Sequence, residues 1–146
     1  MSDCVFCGII AGKVPSSIVH QDDIAIAFMD INPVNTGHVL VVPRQHAPYL
    51  ADLDEDTGAH LFKVTMRIAQ AIRNSGVRCE GVNLFLADGE AAFQEVFHAH
   101  MHVFPRFKGD AFKIDADWTV HPPRHELDAV SARIRAAYDS LYPSNA

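Results

Sequence analysis

The order of the apolar segments limits most strongly what this chain of 146 residues can fold into. Five short segments typical of strands lie at 17–21, 24–30, 37–43, 82–87 and 96–105. Three come before one long amphipathic segment and two come after it, and short connections join them. A doubly wound fold would alternate strand and helix regularly, so this order instead predicts an antiparallel sheet in an α+β domain.

Two segments show the period of a helix rather than that of a strand. In the segment 54–75, Leu61, Ile68 and Ile72 fall on one helical face, and Gly76 suits the end of the helix. A second amphipathic helix is predicted over 126–141. The chain is therefore expected to form one domain over 1–146, with about five strands, one central helix and one C-terminal helix.

Charge and hydropathy exclude several classes of partner. The formal net charge is −6, and no stretch is dense in Lys and Arg, so nucleic-acid binding is not expected. Any phosphate handled here is expected to belong to a small molecule. No window approaches the roughly 18 consecutive apolar residues of a membrane helix, and the N-terminus lacks the pattern of a secretory signal. A cytoplasmic location without membrane attachment is therefore predicted.

Cys4 and Cys7 form a C-x-x-C pair. In a reducing compartment this spacing favours a metal-binding or redox role over a structural disulfide. Free cysteines are also often small buried apolar residues. The spacing alone does not decide between these interpretations.

The segment "HAHMHVF" (98–104) places three histidines at alternate positions. If it is a strand, His98, His100 and His102 share one face, and the outer two lie about 13 Å apart. One ion with ligand nitrogens at about 2.0–2.1 Å cannot reach all three without a sharp bend. Attack on phosphorus suits them better, because a neutral imidazole is a nucleophile that can form a covalent intermediate.

The histidine segment and three longer stretches resemble one known family. "CVFCGII", "AFMDINPVNTGHVLVVPRQH" and "NLFLADGEAAFQEVFHAHMHVFPR" are similar, in the same order, to segments of the histidine triad (HIT) family of nucleotide hydrolases and transferases. The resemblance covers roughly residues 4–106 and is close to the Hint/Fhit-like branch. It implies a HIT domain with a C-terminal helical extension over 107–146.

The resemblance implies roles for the residues around the phosphate. His100 matches the histidine that attacks the α-phosphate of a nucleotide, and a backbone carbonyl usually holds its other ring nitrogen. His102 resembles the histidine that contacts phosphate oxygens. Gln94 resembles the residue that orients phosphate and water, and His38 the one that completes the phosphate site from an adjacent strand.

The nucleoside side follows from the same resemblance. Asp30 matches the acid that accepts the ribose hydroxyls, and Asn32 a polar residue near the ribose. Phe6, Ile31 and Leu40 match apolar positions that enclose the base. A purine nucleotide or a dinucleoside polyphosphate is the implied substrate.

The sequence departs from the family at three positions near the site. Glu95 follows Gln94 where Hint-like members often carry Ser or Thr near the leaving group. Ala87 and Phe93 replace an Asn and a Gly. These departures leave the preferred leaving group open.

The resemblance also implies a metal centre and an assembly. Members with this C-x-x-C resemble a branch in which a structural zinc ion is held by two cysteines and two histidines. The matching residues here are Cys4, Cys7, His46 and His98. The family further implies a homodimer.

Three functions follow from these observations. The leading hypothesis is a hydrolase that cleaves nucleoside phosphoramidates or dinucleoside polyphosphates at the α-phosphate, through a nucleotidyl intermediate on His100. A nucleotidyltransferase or phosphorylase would replace water by another acceptor. A nucleotide-binding regulatory protein with weak catalysis would bind a nucleoside monophosphate tightly without turnover.

Overall fold

Five strands form one antiparallel sheet in the computed structural model, which describes residues 3–144. They are β1 (Ile18–Gln21), β2 (Ala25–Met29), β3 (Val39–Pro43), β4 (Gly81–Phe85) and β5 (Met101–Arg106). Their order across the sheet is β1-β2-β3-β5-β4. The predicted α+β class with an antiparallel sheet is confirmed.

Three α-helices accompany the sheet in the described part of the chain: α1 (Val5–Ile10), α2 (Glu55–Arg73) and α3 (Arg124–Leu141). The central helix α2 begins after Asp54, whose carboxylate accepts a hydrogen bond from the N–H of Thr57 at 2.8 Å. Helices α2 and α3 match the two predicted helices. Helix α1 was not predicted, because six residues are too few to show a helical period.

The two faces of the sheet pack against different helices. On one face, side chains of β2, β3 and β5 such as Ala27, Val41 and Val103 form a core with Leu61 and Ile68 of α2. On the other face, Phe6 and Ile9 of α1 pack against Ile26, Phe28, Leu40 and Val42. Since side chains alternate along a strand, consecutive residues of β2 and β3 contribute to opposite cores.

Strand β5 begins later than the sequence pattern predicts. The predicted strand 96–105 is wrong at its N-terminal half, because residues 96–100 make no strand pairing and β5 starts at Met101. The N–H of Ala99 instead donates to the carbonyl of Ala47 at 2.7 Å. His98 and His100 therefore precede the strand, and only His102 lies in it.

The chain forms two compact units, Met1–Phe112 and Lys113–Ala146. The first contains the sheet with α1 and α2. The second contains α3, along which Leu127, Val130 and Ile134 recur at helical spacing. No helix within residues 3–144 combines the length and the apolar character that crossing a membrane requires.

Candidate active site and metal centre

His100 lies just before β5 with one ring nitrogen fixed by the backbone. Its Nδ1 is 2.7 Å from the carbonyl oxygen of His98. A carbonyl only accepts, so we assign the proton to Nδ1, which leaves a lone pair on Nε2. The ring is 6% exposed, and Phe6 stands edge-on to it with ring centroids 5.0 Å apart. Burial lowers the pKa of His100, although the bond to His98 opposes this shift. His100 is thus a neutral imidazole with a free Nε2.

His38 and His102 form a hydrogen-bonded pair beside His100. The N–H of Val34 donates to Nδ1 of His38 at 3.0 Å, so a neutral His38 carries its proton on Nε2. That Nε2 lies 2.9 Å from Nδ1 of His102 and donates to it. His102 then carries its own proton on Nε2. The ring centroids of His100 and His102 are 4.8 Å apart, so a free acceptor and a free donor lie side by side.

Asp30 follows β2 and lies near the histidine pair. One carboxylate oxygen accepts the N–H of Asn32 at 2.8 Å, which closes the turn that ends the strand. The other oxygen is 3.5 Å from Nε2 of His38. Ile31 projects from this turn and is 89% exposed. Asp30 therefore presents one carboxylate oxygen beside His38 and His102.

These side chains line one cavity of about 480 Å³. Its wall includes the five residues predicted for the nucleoside, Phe6, Asp30, Ile31, Asn32 and Leu40. It also includes the three histidines His38, His100 and His102. The structure thus brings together eight of the predicted site residues on the α1 side of the sheet.

Gln94 is the predicted phosphate residue that does not line this cavity. Its side chain is 4% exposed and bonds only to backbone. The amide nitrogen donates to the carbonyls of Pro48 at 2.7 Å and Val96 at 3.1 Å, and the amide oxygen accepts the N–H of Gly89 at 2.8 Å. Gln94 therefore fastens the loop 89–96 to the segment at Pro48.

The three departures from the family occupy different places. Phe93 adopts a left-handed conformation with φ 69° and is 83% exposed, which explains why a glycine suits this position. Phe93 and Glu95 both line the cavity. Ala87 is buried and lies outside its wall.

A second cluster gathers the predicted metal ligands. Nδ1 of His98 lies 3.4 Å from Sγ of Cys4, 3.6 Å from Sγ of Cys7 and 3.2 Å from Nδ1 of His46. Around a tetrahedral zinc ion, ligand atoms at about 2.0–2.3 Å from the metal are about 3.3–3.7 Å from one another. Nε2 of His98 is 2.8 Å from the carbonyl of Pro43, so it carries the proton and leaves Nδ1 free as a ligand. The donor set and its spacing fit a zinc ion.

Sequence reasoning missed the residues that hold the loop before β3. The side-chain amide of Asn35 donates to the carbonyl of Pro105 at 2.9 Å and to Asp110 at 2.8 Å. Arg106 donates to the same carboxylate from Nε at 2.7 Å, and these bonds hold the pKa of Asp110 below its usual range. Gly37 has φ 99°, and a Cβ there would meet Val77 at 2.8 Å. Asn35 and Gly37, which are typical of a loop, were the sequence signal available for these contacts.

Phe28 and Phe104 also line the cavity without having been predicted. Phe28 lies in β2, two residues before Asp30, which follows that strand. Phe104 lies in β5, two residues after His102 in the same strand. Because alternate residues of a strand share a face, this spacing was the available signal.

Comparisons with a family model and with known proteins all point to one family. The sequence model of the HIT domain matches residues 11–109. An uncharacterized HIT-like protein of Borreliella burgdorferi is 45% identical over 114 residues, which are 77% of this chain and 81% of the relative. A protein of Arabidopsis thaliana named adenylylsulfatase is 35% identical over 109 residues, which are 75% of this chain and 55% of that protein.

Solved structures share the fold. A HIT family member from Bacillus subtilis superposes with a TM-score of 0.83 at 38% identity, over 92% of this chain and 96% of that one. A zinc-bound histidine triad family protein from Mycobacterium smegmatis gives a TM-score of 0.74 at 39% identity, over 93% of this chain and 98% of that one.

Proposed function

This chain belongs to the HIT family, and from that premise we propose that it is a cytoplasmic nucleotide hydrolase that cleaves at the α-phosphate through a nucleotidyl intermediate on His100. The observation that carries the proposal is the 2.7 Å contact between Nδ1 of His100 and the carbonyl of His98. This contact keeps the lone pair on Nε2, and no described residue occupies that nitrogen. The relative named adenylylsulfatase supports hydrolysis at a nucleotide phosphorus.

The first half-reaction forms a bond from Nε2 of His100 to the α-phosphorus. The bond from phosphorus to the leaving atom breaks, its electron pair stays on that atom, and the atom takes a proton from solvent. The N–H on Nε2 of His102 donates to a phosphate oxygen and stabilises the charge that develops there. His38 holds His102 in that tautomer.

The second half-reaction returns the histidine to its starting state. A water molecule attacks the phosphorus and releases its proton to solvent, and the bond to Nε2 of His100 breaks. The products are a nucleoside monophosphate and the free leaving group. Asp30 accepts the ribose hydroxyls, while Phe6 and Leu40 contact the base; a purine, with its larger apolar surface, is the base we propose.

The test is a substrate panel of nucleoside phosphoramidates and dinucleoside polyphosphates on the wild type and on His100→Ala. We expect turnover by the wild type and none above background by the variant. His60→Ala serves as a matched control, because His60 bonds to Asp22 at 2.8 Å and lies outside the cavity wall. A mass increase of one nucleotidyl group on quenched wild type would support the intermediate, whereas full activity of His100→Ala would refute it.

We further propose that Cys4, Cys7, His46 and His98 hold a structural zinc ion. When bound, zinc would tie α1 to the segment before β5, and four protein ligands leave it no open position for catalysis. The zinc-bound relative from Mycobacterium smegmatis supports this choice of metal.

Metal content and thermal unfolding test the zinc proposal directly. We expect about one zinc per chain in the wild type and loss of both metal and thermal stability in Cys4→Ser/Cys7→Ser. Cys79→Ser is the control, because Cys79 is a free thiol outside the cluster. Metal retained in the double variant would contradict the assignment.

The family also supports a homodimer as the working form. Phe62 and Met66 lie one turn apart on α2 and are 49% and 57% exposed, which is apolar surface suited to a second copy. Sedimentation analysis of Phe62→Glu should then show a monomer where the wild type shows a dimer. A dimer of unchanged stability in the variant would place the interface elsewhere.

A further inference from the structure

We propose that Glu95 is a specificity-determining residue that selects substrates whose leaving group carries a positive charge, an inference that rests on the proposed function. Glu95 follows the anchored Gln94, is exposed, and lines the cavity that contains His100. The backbone on its N-terminal side is fixed by the three bonds of the Gln94 amide. The backbone that carries Glu95 in the cavity wall is therefore held in place.

The charge of the cavity wall favours such a substrate. Among the described residues that line it, Asp30 and Glu95 carry the fixed charges, and there is no Lys or Arg. Burial lowers the pKa values of His38 and His102, so these two rings are neutral at neutral pH. A chain of anionic phosphates entering this wall meets carboxylates without a compensating cation.

Glu95 lines two cavities. A second cavity of about 370 Å³ shares Val5, Glu95 and Val96 with the first, and its wall contains neither Asp30 nor Ile31. The wall of the second cavity also includes the proposed zinc ligands Cys4 and His46. With the nucleoside bound at Asp30, a leaving group that departs from the α-phosphorus therefore meets this space at the end that Glu95 and Val96 form. Glu95 stands where the two spaces meet.

The substrate class that fits is a nucleoside phosphoramidate of an amine that bears a remote ammonium group. It brings a single phosphate into the site, and its ammonium can pair with the Glu95 carboxylate. Only the phosphorus–nitrogen bond breaks; the freed amine keeps the electron pair and takes a proton from solvent, while the remote ammonium is unchanged. Dinucleoside polyphosphates carry several negative charges on the leaving side and fit less well.

Three phosphoramidates with the same nucleoside and the same linker would test this. Their remote groups are an ammonium, a hydroxyl and a carboxylate. In the wild type we expect kcat/KM to fall in that order. The ratio of kcat/KM for the ammonium compound to that for the carboxylate compound should be about tenfold smaller in Glu95→Gln, because one charge pair near a surface is lost. Glu95→Lys should reverse the order, and added salt should shrink the wild-type ratio.

Glu90→Gln is the matched control, because Glu90 lies in the same loop but does not line the cavity. It should keep the wild-type ratio. A ratio that is the same in the wild type, Glu95→Gln and Glu95→Lys would overturn the role of Glu95 while leaving the hydrolase intact. A dinucleoside polyphosphate is assayed beside them: turnover of that compound alone would overturn this inference and leave the proposed function standing, whereas turnover of none of the four would overturn both.

Discussion

His38, just before β3, and His102, in β5, share one hydrogen bond of 2.9 Å between Nε2 of the first and Nδ1 of the second. His38 is the donor in that bond, because the N–H of Val34 donates to its Nδ1 and leaves the proton of a neutral ring on Nε2. The loop before β3 thus decides which nitrogen of His102 carries a proton at the cavity. The position of the Val34 N–H thus determines the tautomer of the His102 ring.

The first prediction follows from this arrangement. His38→Ala removes the donor to Nδ1 of His102, so the proton of His102 is free to occupy either nitrogen. We expect kcat/KM to fall by about 10- to 100-fold, as for loss of one hydrogen bond that acts in the transition state. Nitrogen-15 chemical shifts of the His102 ring should change from those of a pure Nε2–H tautomer to those of a mixture. Unchanged shifts would show that His38 does not set the tautomer.

The second prediction concerns acid stability. Burial, followed by the charges of His100 and His38, lowers the pKa of His102 to about 4 from its ordinary value of 6.5. Between these two values the unfolded chain binds a proton at this site that the folded chain does not. The free energy of unfolding should therefore fall as the pH drops from 6.5 toward 4, by at most about 1.4 kcal/mol per pH unit for this one group.

Urea unfolding of the wild type and His102→Gln at pH 7.5, 5.5 and 4.5 measures this effect. The variant lacks the titrating ring, so its loss of stability over the range should be smaller than that of the wild type. The four proposed zinc ligands are present in both proteins, so any loss of metal in acid does not affect the difference. Equal losses in the two proteins would contradict the buried neutral state of His102.

Much of this fold follows from the sequence because periodicity is a local property. Short apolar runs bounded by turn residues located β2 and β3. The pairing of Leu40 with His102 across β3 and β5 depends on the register of two segments far apart in the chain, which no local pattern contains. The family resemblance, and not the local pattern, predicted that those residues share one site.

The segment 94–100 shows where local reasoning ends. Its alternation of histidine and apolar residues is typical of a strand, yet its backbone bonds to Ala47 and its side chain Gln94 bonds to Pro48. These partners come from the connection after β3, some fifty residues earlier in the chain. The segment that they hold places His98 beside the cysteines and His100 in the cavity wall.

The third prediction separates a positioning role for Gln94 from direct contact with phosphate. Gln94→Leu removes the partners of three backbone groups, and we expect a loss of about 2–3 kcal/mol in the free energy of unfolding. If Gln94 acts by holding the loop, low temperature or a stabilising osmolyte should restore much of the lost kcat. Direct phosphate contact predicts a fall in kcat/KM that no stabilising condition repairs, with little loss of stability. Kinetics and urea unfolding on the same preparations distinguish the two.

The fourth prediction concerns the backbone at Phe93. Its φ of 69° lies in the left-handed region, where a side chain with a Cβ costs about 1–2 kcal/mol and glycine does not. The phenyl ring is 83% exposed, so its removal sacrifices little buried area. After allowing for the greater freedom of glycine in the unfolded chain, Phe93→Gly should raise the free energy of unfolding by about 0.5–1 kcal/mol.

A graded series makes that prediction specific to the backbone. Phe93→Asn should gain part of the same stability, because asparagine tolerates the left-handed region, and Phe93→Val should lose stability, because a β-branched residue does not. Since the ring also lines the cavity, all three variants should raise KM for the nucleotide substrate regardless of their stability. Stability in the order Val above Gly would show that the ring's contacts, not the backbone angle, dominate at this position.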